Sequence, residues 1–419
     1  MTASPPDAQD GEAQVAAAVA DEIPLRVTTL EIFFDLVFAF TLTQLASVLA
    51  TRLSWLAAGQ VVLVFCLLWW MYGAYAWLTN SRPPVHTAER LLLLVGMAGF
   101  LVVGIAIPAG FASYGVVLGL GYLVVVVVHA ALFYRVNANI VRVAPFNVGS
   151  ALLVTVAGLL HNPAGKETLA GYLLWILALA VQLGSPLIVR PAGFFELRAA
   201  HFAERHNALL IVAIGESVAA VGIGAAGPVS QAPGISWRVL ASAALGLAVA
   251  AALWWIVFGG GDEERAERAL TEATGRRRTQ LALSALFYGN IPLLLGLVAT
   301  AAGILIAVVQ AAGHPAAAAM LGAGAGAGHG VAARTGRAAV LAGGAALFLA
   351  GDVVIRRVLR TGPVRLRIAA AIAALATTAA GIAAGLGVQL VLVAAVLIAP
   401  LVAERRLGGG EPGPGDAAG

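Results

Sequence analysis

The sequence predicts an all-α, polytopic integral membrane protein with about twelve transmembrane helices. Of the 419 residues, 60% are hydrophobic and only 11% are charged, whereas a soluble domain carries about 25% charged residues. Apolar runs of the roughly 20 residues that a helix needs to cross the hydrocarbon core recur along the chain. These runs are continuous rather than alternating, which favours helices over a transmembrane β-barrel.

Each continuous apolar run is predicted to form one span. The spans lie near residues 30–50, 55–78, 90–110, 113–134, 145–161, 170–189, 206–225, 237–258, 280–310, 338–355, 366–383 and 387–403. The stretch 366–403 could instead hold one long span and a re-entrant segment. Gly381, Gly385 and Gly387 favour a hairpin of two spans, because glycines interrupt a helix.

Three segments fall outside the transmembrane domain, which we place at residues 26–404. Residues 1–25 are Ala-rich, polar and acidic, and are predicted to form a disordered cytoplasmic tail rather than a signal peptide. Residues 311–335 are rich in Ala and Gly and are predicted to form a flexible outer loop. Residues 405–419 are predicted to form a second disordered tail.

The distribution of Lys and Arg predicts the orientation of the chain. With twelve spans and a cytoplasmic N-terminus, 20 of the 25 Lys and Arg residues lie in inner segments and 5 in outer ones. Such a bias predicts that both termini lie in the cytoplasm. It also explains the basic character of the chain, so the lipid bilayer, and not nucleic acid, is the predicted partner.

The chain could consist of two parallel six-helix halves, residues 26–200 and 201–404. Trp69-Trp70 and Trp254-Trp255 lie six spans apart, and each pair precedes a loop that contains Glu-Arg. The first and seventh spans each carry an acidic residue. An even number of spans per half makes the repeats parallel. The alternative interpretation is coincidence, with the tryptophans in interfacial belts.

Glu216 is the most informative charge in an apolar run. It lies about ten residues into its span, or roughly 15 Å deep, where an ionisable side chain costs about 2.5–3.5 kcal/mol. It could be a proton or cation site, or a protonated, hydrogen-bonded clamp between helices. Asp352 and Arg356 are predicted to form an i,i+4 ion pair near the membrane interface.

Glu31 and Asp35 are four residues apart and therefore share one face of the first span. Thr28 or Thr29 can cap this helix with Glu31 near its N-terminus, which would explain Glu31 without a functional role. Asp35 lies deeper and is harder to explain by capping. Two carboxylates this close favour a bound proton or a shared cation.

His201, Glu204 and Arg205 precede the seventh predicted span. We expect Arg205 to pair with Asp35 or Glu31, because a buried carboxylate favours an arginine partner. The alternative is that this run only anchors the helix at the membrane surface. A metal site at His201 and Glu204 would need further ligands that the sequence does not supply, so no metal or cofactor is predicted.

Two stretches resemble the bacterial low temperature requirement protein A (LtrA) family. They run from Arg26 to Leu45 and from His201 to Val218, and residues up to about 310 are also similar. Matching positions are Glu31, Phe34, Asp35, Glu204, Arg205, Gly215, Glu216 and Ser217. The chain departs at His206-Asn207, where the family often has an aromatic residue and a glycine. The resemblance implies a polytopic membrane protein and does not imply a particular substrate or reaction.

The sequence favours a secondary transporter or an ion or proton pathway over an enzyme. Asp35, Arg205 and Glu216 would form a buried polar cluster in which a carboxylate near the midplane couples proton movement to a small ion or solute. One alternative is a non-catalytic structural or regulatory membrane protein, alone or as a homo-oligomer. The other is a membrane-embedded enzyme acting on lipids, for which His201, Glu204 and Ser217 are the candidate residues.

Overall fold

The fold was analysed in a computed structural model of the chain. The structure describes residues 27–134, 140–161, 165, 167–188, 197–231, 236–312 and 330–408. The predicted N-terminal tail, most of the predicted outer loop and the end of the C-terminal tail lie outside these residues.

Nearly every described residue is helical. The α-helices of the described chain are α1 (Thr29–Thr51), α2 (Trp55–Ser81), α3 (Thr87–Ala106), α4 (Gly115–Tyr134), α5 (Ile140–Ala157), α6 (Leu169–Ile188), α7 (Ala199–Gln231), α8 (Trp237–Phe258), α9 (Asp262–Glu272), α10 (Gly275–Ala282), α11 (Asn290–Ala312), α12 (Val331–Leu359), α13 (Arg365–Ala384) and α14 (Leu386–Gly408).

Eleven of the twelve predicted spans each match one α-helix, and the ninth, 280–310, covers the end of α10, a π-helical segment and α11. Within the described residues, 11 helices are long and apolar enough to cross a membrane, and the sixth predicted span contains the shorter apolar stretch Leu169–Ser185. The predicted hairpin over 366–403 is confirmed, because α13 and α14 are separated at Gly385, whose φ is 91°. A positive φ strains every residue type except glycine.

Some predicted boundaries are wrong. Helix α7 begins at Ala199, so the run from His201 to Arg205 lies inside the helix and not before it. Helix α12 begins at Val331, within the predicted outer loop, and α14 continues to Gly408, into the predicted tail. Charged residues mislead the span prediction here, because a helix extends past the hydrocarbon into the aqueous boundary.

The charged segment after α8 forms a helix that the hydropathy pattern did not predict. Helix α9 carries ion pairs from Arg265 to Asp262 and from Arg268 to Glu264, three and four residues apart. Such pairs stabilise its polar face, while Leu270, Ala266 and Ala269 pack against the hydrophobic core.

The membrane helices pack in two groups with the same order of neighbours. In the first group, α1 contacts α2 and α3, α3 contacts α4, α4 contacts α5, α5 contacts α6, and α6 contacts α2. In the second group, α7 contacts α8 and α11, α11 contacts α12, α12 contacts α13, α13 contacts α14, and α14 contacts α8. This correspondence is what a six-helix repeat would produce, although the repeat itself stays a prediction.

The two tryptophan pairs that suggested the repeat occupy different environments. Trp69 is 1% exposed, whereas Trp254 and Trp255 are 41% and 40% exposed. The Trp69 indole donates a hydrogen bond of 3.0 Å to the backbone oxygen of Phe287 and stacks on its ring. Phe287 lies in a π-helical segment, Leu283–Tyr288, that leads into α11. The first pair therefore joins the two groups, while the second faces outward.

The groups meet along α1, which contacts both α7 and α11. The predicted contact between the first and seventh spans is therefore confirmed. It brings together the acidic residues of α1 and the charged start of α7.

Candidate functional site at the α1–α7 interface

The start of α1 is a capping box that also presents a carboxylate to α7. The Thr28 hydroxyl accepts a hydrogen bond of 3.3 Å from the Glu31 backbone N–H, and the Glu31 carboxylate accepts one of 2.9 Å from the Thr28 backbone N–H. Such reciprocal bonds satisfy donors that the first helical turn leaves free. Capping by Thr28 is thus confirmed, and it fixes the Glu31 carboxylate.

Arg205 lies opposite these carboxylates on α7. Its Nη1 donates to the Glu31 Oε1 at 2.9 Å and also to the hydroxyl of Thr79 on α2. Its Nη2 is 3.5 Å from the Asp35 Oδ1. The predicted pairing of Arg205 with Asp35 or Glu31 is therefore confirmed, and the guanidinium contacts both carboxylates. Arg205, Glu31 and Asp35 are each at most 1% exposed.

Aromatic rings enclose this ion-pair cluster. The Tyr72 hydroxyl donates a hydrogen bond of 2.9 Å to the Asp35 Oδ1. The Arg205 guanidinium carbon lies 5.4 Å from the ring centroid of Phe34 and 5.7 Å from that of Tyr72. At these distances the ring faces attract the cation. The rings also exclude water, so each charge in the cluster depends on its protein partners.

His201 connects the cluster to the end of α2. Its Nε2 is 3.4 Å from the Glu31 Oε2, and its Nδ1 is 3.3 Å from the Asn80 side-chain nitrogen. Asn80 also binds the backbone of Arg198, donating to its oxygen at 2.9 Å and accepting from its N–H at 3.1 Å. His201 and Asn80 therefore link α1, α2 and the start of α7.

The cluster has more acidic than basic groups. Glu31 and Asp35 share the guanidinium of Arg205, and the Asp35 Oδ2 has no hydrogen-bond partner among the described residues. With both carboxylates charged and His201 neutral, one negative charge remains unbalanced in a buried site. An uncompensated charge in such a site is costly, so one further positive charge would stabilise the cluster.

Glu216 belongs to a second level of the same interface. It lies eleven residues beyond Arg205, about 16 Å along the helix, and its carboxylate accepts a hydrogen bond from the Thr43 hydroxyl on α1. Neither residue is fully buried. The single cluster of Asp35, Arg205 and Glu216 that the sequence suggested is therefore two polar levels, because one face of a long helix passes several depths of the bilayer.

Neither Glu204 nor Ser217 belongs to either polar level. Glu204 is exposed and accepts a hydrogen bond of 3.3 Å from the Val27 backbone N–H at the start of α1. Ser217 is buried, and its hydroxyl has no hydrogen-bond partner among the described residues. Ser217 is sixteen residues from His201, about 24 Å along the helix. His201, Glu204 and Ser217 therefore do not converge on one site.

A second buried charge network involves four helices and was not predicted as a network. Arg356 contacts Asp352 at 3.2 Å, as predicted, but it also pairs with Asp262 of α9 and lies 3.6 Å from Glu404 of α14. Arg367 of α13 donates to both carboxylate oxygens of Glu404, at 3.1 and 2.9 Å. Only the Asp352–Arg356 pair has a local sequence signal, since the other members are distant in sequence.

The described residues contain no group of three or more His, Cys, Asp or Glu side chains that could hold a metal ion. Both charge networks instead pair carboxylates with arginine, which cannot serve as a metal ligand.

Comparison with known proteins decides the family. The family model described as "Bacterial low temperature requirement A protein (LtrA)" matches residues 26–402, nearly the whole chain. The chain belongs to the LtrA family. The resemblance in residues 26–310 is confirmed and extends over the last spans. A curated relative from Rhizobium meliloti (strain 1021), "Uncharacterized protein RA0937", is 27% identical over 288 residues, which cover 65% of this chain and 67% of the relative.

Membership and structure together make this LtrA protein a polytopic membrane protein whose helices contact the lipid bilayer. Both signature stretches of the family lie on the α1–α7 interface. The first contains Glu31 and Asp35, and the second contains Arg205 and Glu216.

Proposed function

We propose that this protein is a secondary transporter or ion pathway in which protons move between carboxylates along the α1–α7 interface. The observation that carries the proposal is an excess of carboxylate on this interface. Glu31, Asp35 and Glu216 face it; Arg205 pairs with Glu31 and Asp35, whereas Glu216 accepts a hydrogen bond from the Thr43 hydroxyl.

The two polar levels suggest separate roles. The level formed by Glu31, Asp35 and Arg205 is closed by the rings of Tyr72 and Phe34. A proton on this level would therefore be exchanged only when the helices move. Glu216 is less buried and has a hydroxyl partner, Thr43, rather than a cation. A carboxylate at this depth is costly when charged, which makes protonation and release a means of coupling. The matching packing of the two helix groups supports rocking of one group against the other.

Flux measurements in liposomes test the proposal. We expect the purified wild type to move protons or a small cation along an imposed gradient. Asp35→Asn and Glu216→Gln should each abolish most of the flux, since the amides cannot exchange a proton. Asp352→Asn is the matched control, because it removes a buried carboxylate from the other network and should leave flux intact.

A structural role is the second candidate, and close packing favours it. Glu31, Asp35 and Arg205 are buried with aromatic side chains against them, as in a clamp that fixes α1 to α7. Under this alternative the wild type is silent across common ions and pH gradients, and Asp35→Asn changes thermal stability alone. Wild-type flux that survives both carboxylate substitutions would also contradict the transport proposal.

The proposal extends to the location and the chemistry of the protein. The protein acts without catalysis in the cytoplasmic membrane, with both termini inside, as the distribution of arginines indicates. The lipid-enzyme alternative is disfavoured by the separation of His201 from Ser217. Self-association stays a prediction.

A further inference from the structure

Four arginines line a cavity at the junction between α12 and α13. The cavity has a volume of about 570 Å³, and its lining includes Arg356, Arg357, Arg360, Arg365 and the backbone of Gly362. It lies at one end of two membrane helices, outside the α1–α7 interface. None of its residues takes part in the proposed proton pathway.

The charge of these arginines is only partly compensated. Arg356 is buried and pairs with Asp262 and Asp352. Arg357, Arg360 and Arg365 are exposed, and none has an acidic partner within 4.0 Å among the described residues. Three positive charges thus line one cavity, and no described carboxylate forms an ion pair with any of them. Such a site attracts an anion with several oxygen acceptors.

Two of these arginines occupy positions that local physical chemistry disfavours. Arg360 ends α12 with a φ of 57°, in the left-handed region that glycine usually fills at a helix end. Arg365 stands in the first turn of α13, where the helix dipole repels a cation. A bound anion would offset the repulsion between Arg365 and the helix dipole.

The surroundings of the cavity indicate a lipid headgroup rather than a soluble anion. Val354 and Ile372 lie on the same two helices, toward the membrane from the arginines, and are 39% and 65% exposed. Ile372 is seven residues into the span from Arg365, about 10 Å along the helix. Phosphate oxygens at the arginines would therefore place acyl chains along exposed apolar side chains.

We propose that this cavity binds the phosphate of an anionic glycerophospholipid, with Arg357, Arg360 and Arg365 as its ligands. The site is independent of the proposed transport function.

Lipid titration of the purified full-length protein tests the site. Binding of phosphatidylglycerol, phosphatidylcholine and inorganic phosphate would be measured in zwitterionic detergent by native mass spectrometry. We expect phosphatidylglycerol to bind more tightly than phosphatidylcholine or inorganic phosphate. Arg357→Gln/Arg365→Gln should weaken phosphatidylglycerol binding about 30-fold, since each arginine near an anionic lipid contributes about a factor of five.

Two further variants separate specific binding from general charge and from misfolding. Arg90→Gln/Arg277→Gln removes two exposed arginines outside the cavity and should leave phosphatidylglycerol binding within about twofold of the wild type. Arg360→Gly keeps the left-handed backbone and removes one charge, so it should fold normally and still bind about fivefold more weakly.

The proposal is overturned if both double variants lose binding equally, if Arg360→Gly binds like the wild type, or if the two lipids bind equally. Inorganic phosphate that binds as tightly as phosphatidylglycerol would make this a soluble-anion site instead. Proton flux of the arginine variants, measured beside Asp35→Asn, keeps a failure here distinct from a failure of the transport proposal.

Discussion

The Arg205 guanidinium lies 2.9 Å from the Glu31 carboxylate, and this buried ion pair joins α7 to α1 across the junction of the two helix groups. The same guanidinium reaches Asp35 at 3.5 Å. Removing a buried carboxylate should therefore change the stability of the protein differently from removing the arginine. Comparing the two kinds of variant separates the effect of charge balance from the effect of side-chain packing.

Arg205→Gln should destabilise the protein by about 3–5 kcal/mol, because it leaves two buried carboxylates without a cation. Adding Asp35→Asn to Arg205→Gln should restore part of the loss, since one of the uncompensated charges is then removed. Thermal unfolding in detergent for both single variants and the double variant measures this coupling. Additive losses would show that the three groups do not act as one charge-balanced unit.

Arg367→Gln should also destabilise the protein by about 3–5 kcal/mol. Arg367 is 1% exposed and holds Glu404 through two hydrogen bonds, so its loss leaves Glu404 with only the longer contact of 3.6 Å to Arg356 among the described residues. Arg357→Gln is the control, as an exposed arginine on the adjacent helix, and should change stability by no more than about 0.5 kcal/mol. Equal unfolding temperatures for the two variants would contradict a structural role for this network.

The sequence could predict the spans and the Arg205 pairing because both have strong local causes. Apolar runs of sufficient length form helices in lipid, and buried carboxylates on α1 require a cation. The sequence could not predict that Glu216 meets Thr43 rather than Arg205, because hydropathy does not give the rotation or depth of one helix against another. Arg367 and Glu404 were likewise missed as partners, since they are 37 residues apart and each resembles an ordinary charge at a membrane surface.

The packing of α11 against α12 gives a prediction with a control at the neighbouring residue. A Cβ added at Gly344 would lie 2.5 Å from the backbone nitrogen of Thr300, whereas one at Gly343 would meet nothing within 4 Å. Gly344→Ala should therefore cost about 1–3 kcal/mol through overpacking. Gly343→Ala should be neutral or should stabilise the helix by up to about 1 kcal/mol. The same unfolding temperature for both variants would contradict close contact between these helices.

Glu167 lies just before α6, outside the spans, and its burial predicts that the stability of the protein depends on pH. It is 9% exposed, and burial raises the pKa of its carboxyl, while His161 nearby offsets part of the rise. Because the pKa is higher in the folded state, Glu167 favours folding at pH values below the ordinary glutamate pKa of about 4.3. This contribution is lost as the pH rises through the higher folded-state pKa. Between these two pKa values, the free energy of unfolding of Glu167→Gln should therefore change less with pH than that of the wild type.

Thermal unfolding of the wild type and Glu167→Gln across that pH window checks the expectation. The variant should gain stability relative to the wild type as the pH rises, because it no longer has a carboxylate to bury. Glu89→Gln is a suitable control, as that carboxylate pairs with Arg82 at 3.2 Å near the start of α3. A pH profile that Glu167→Gln leaves unchanged would show that the pKa of Glu167 does not differ between the folded and unfolded states, contrary to the expected effect of burial.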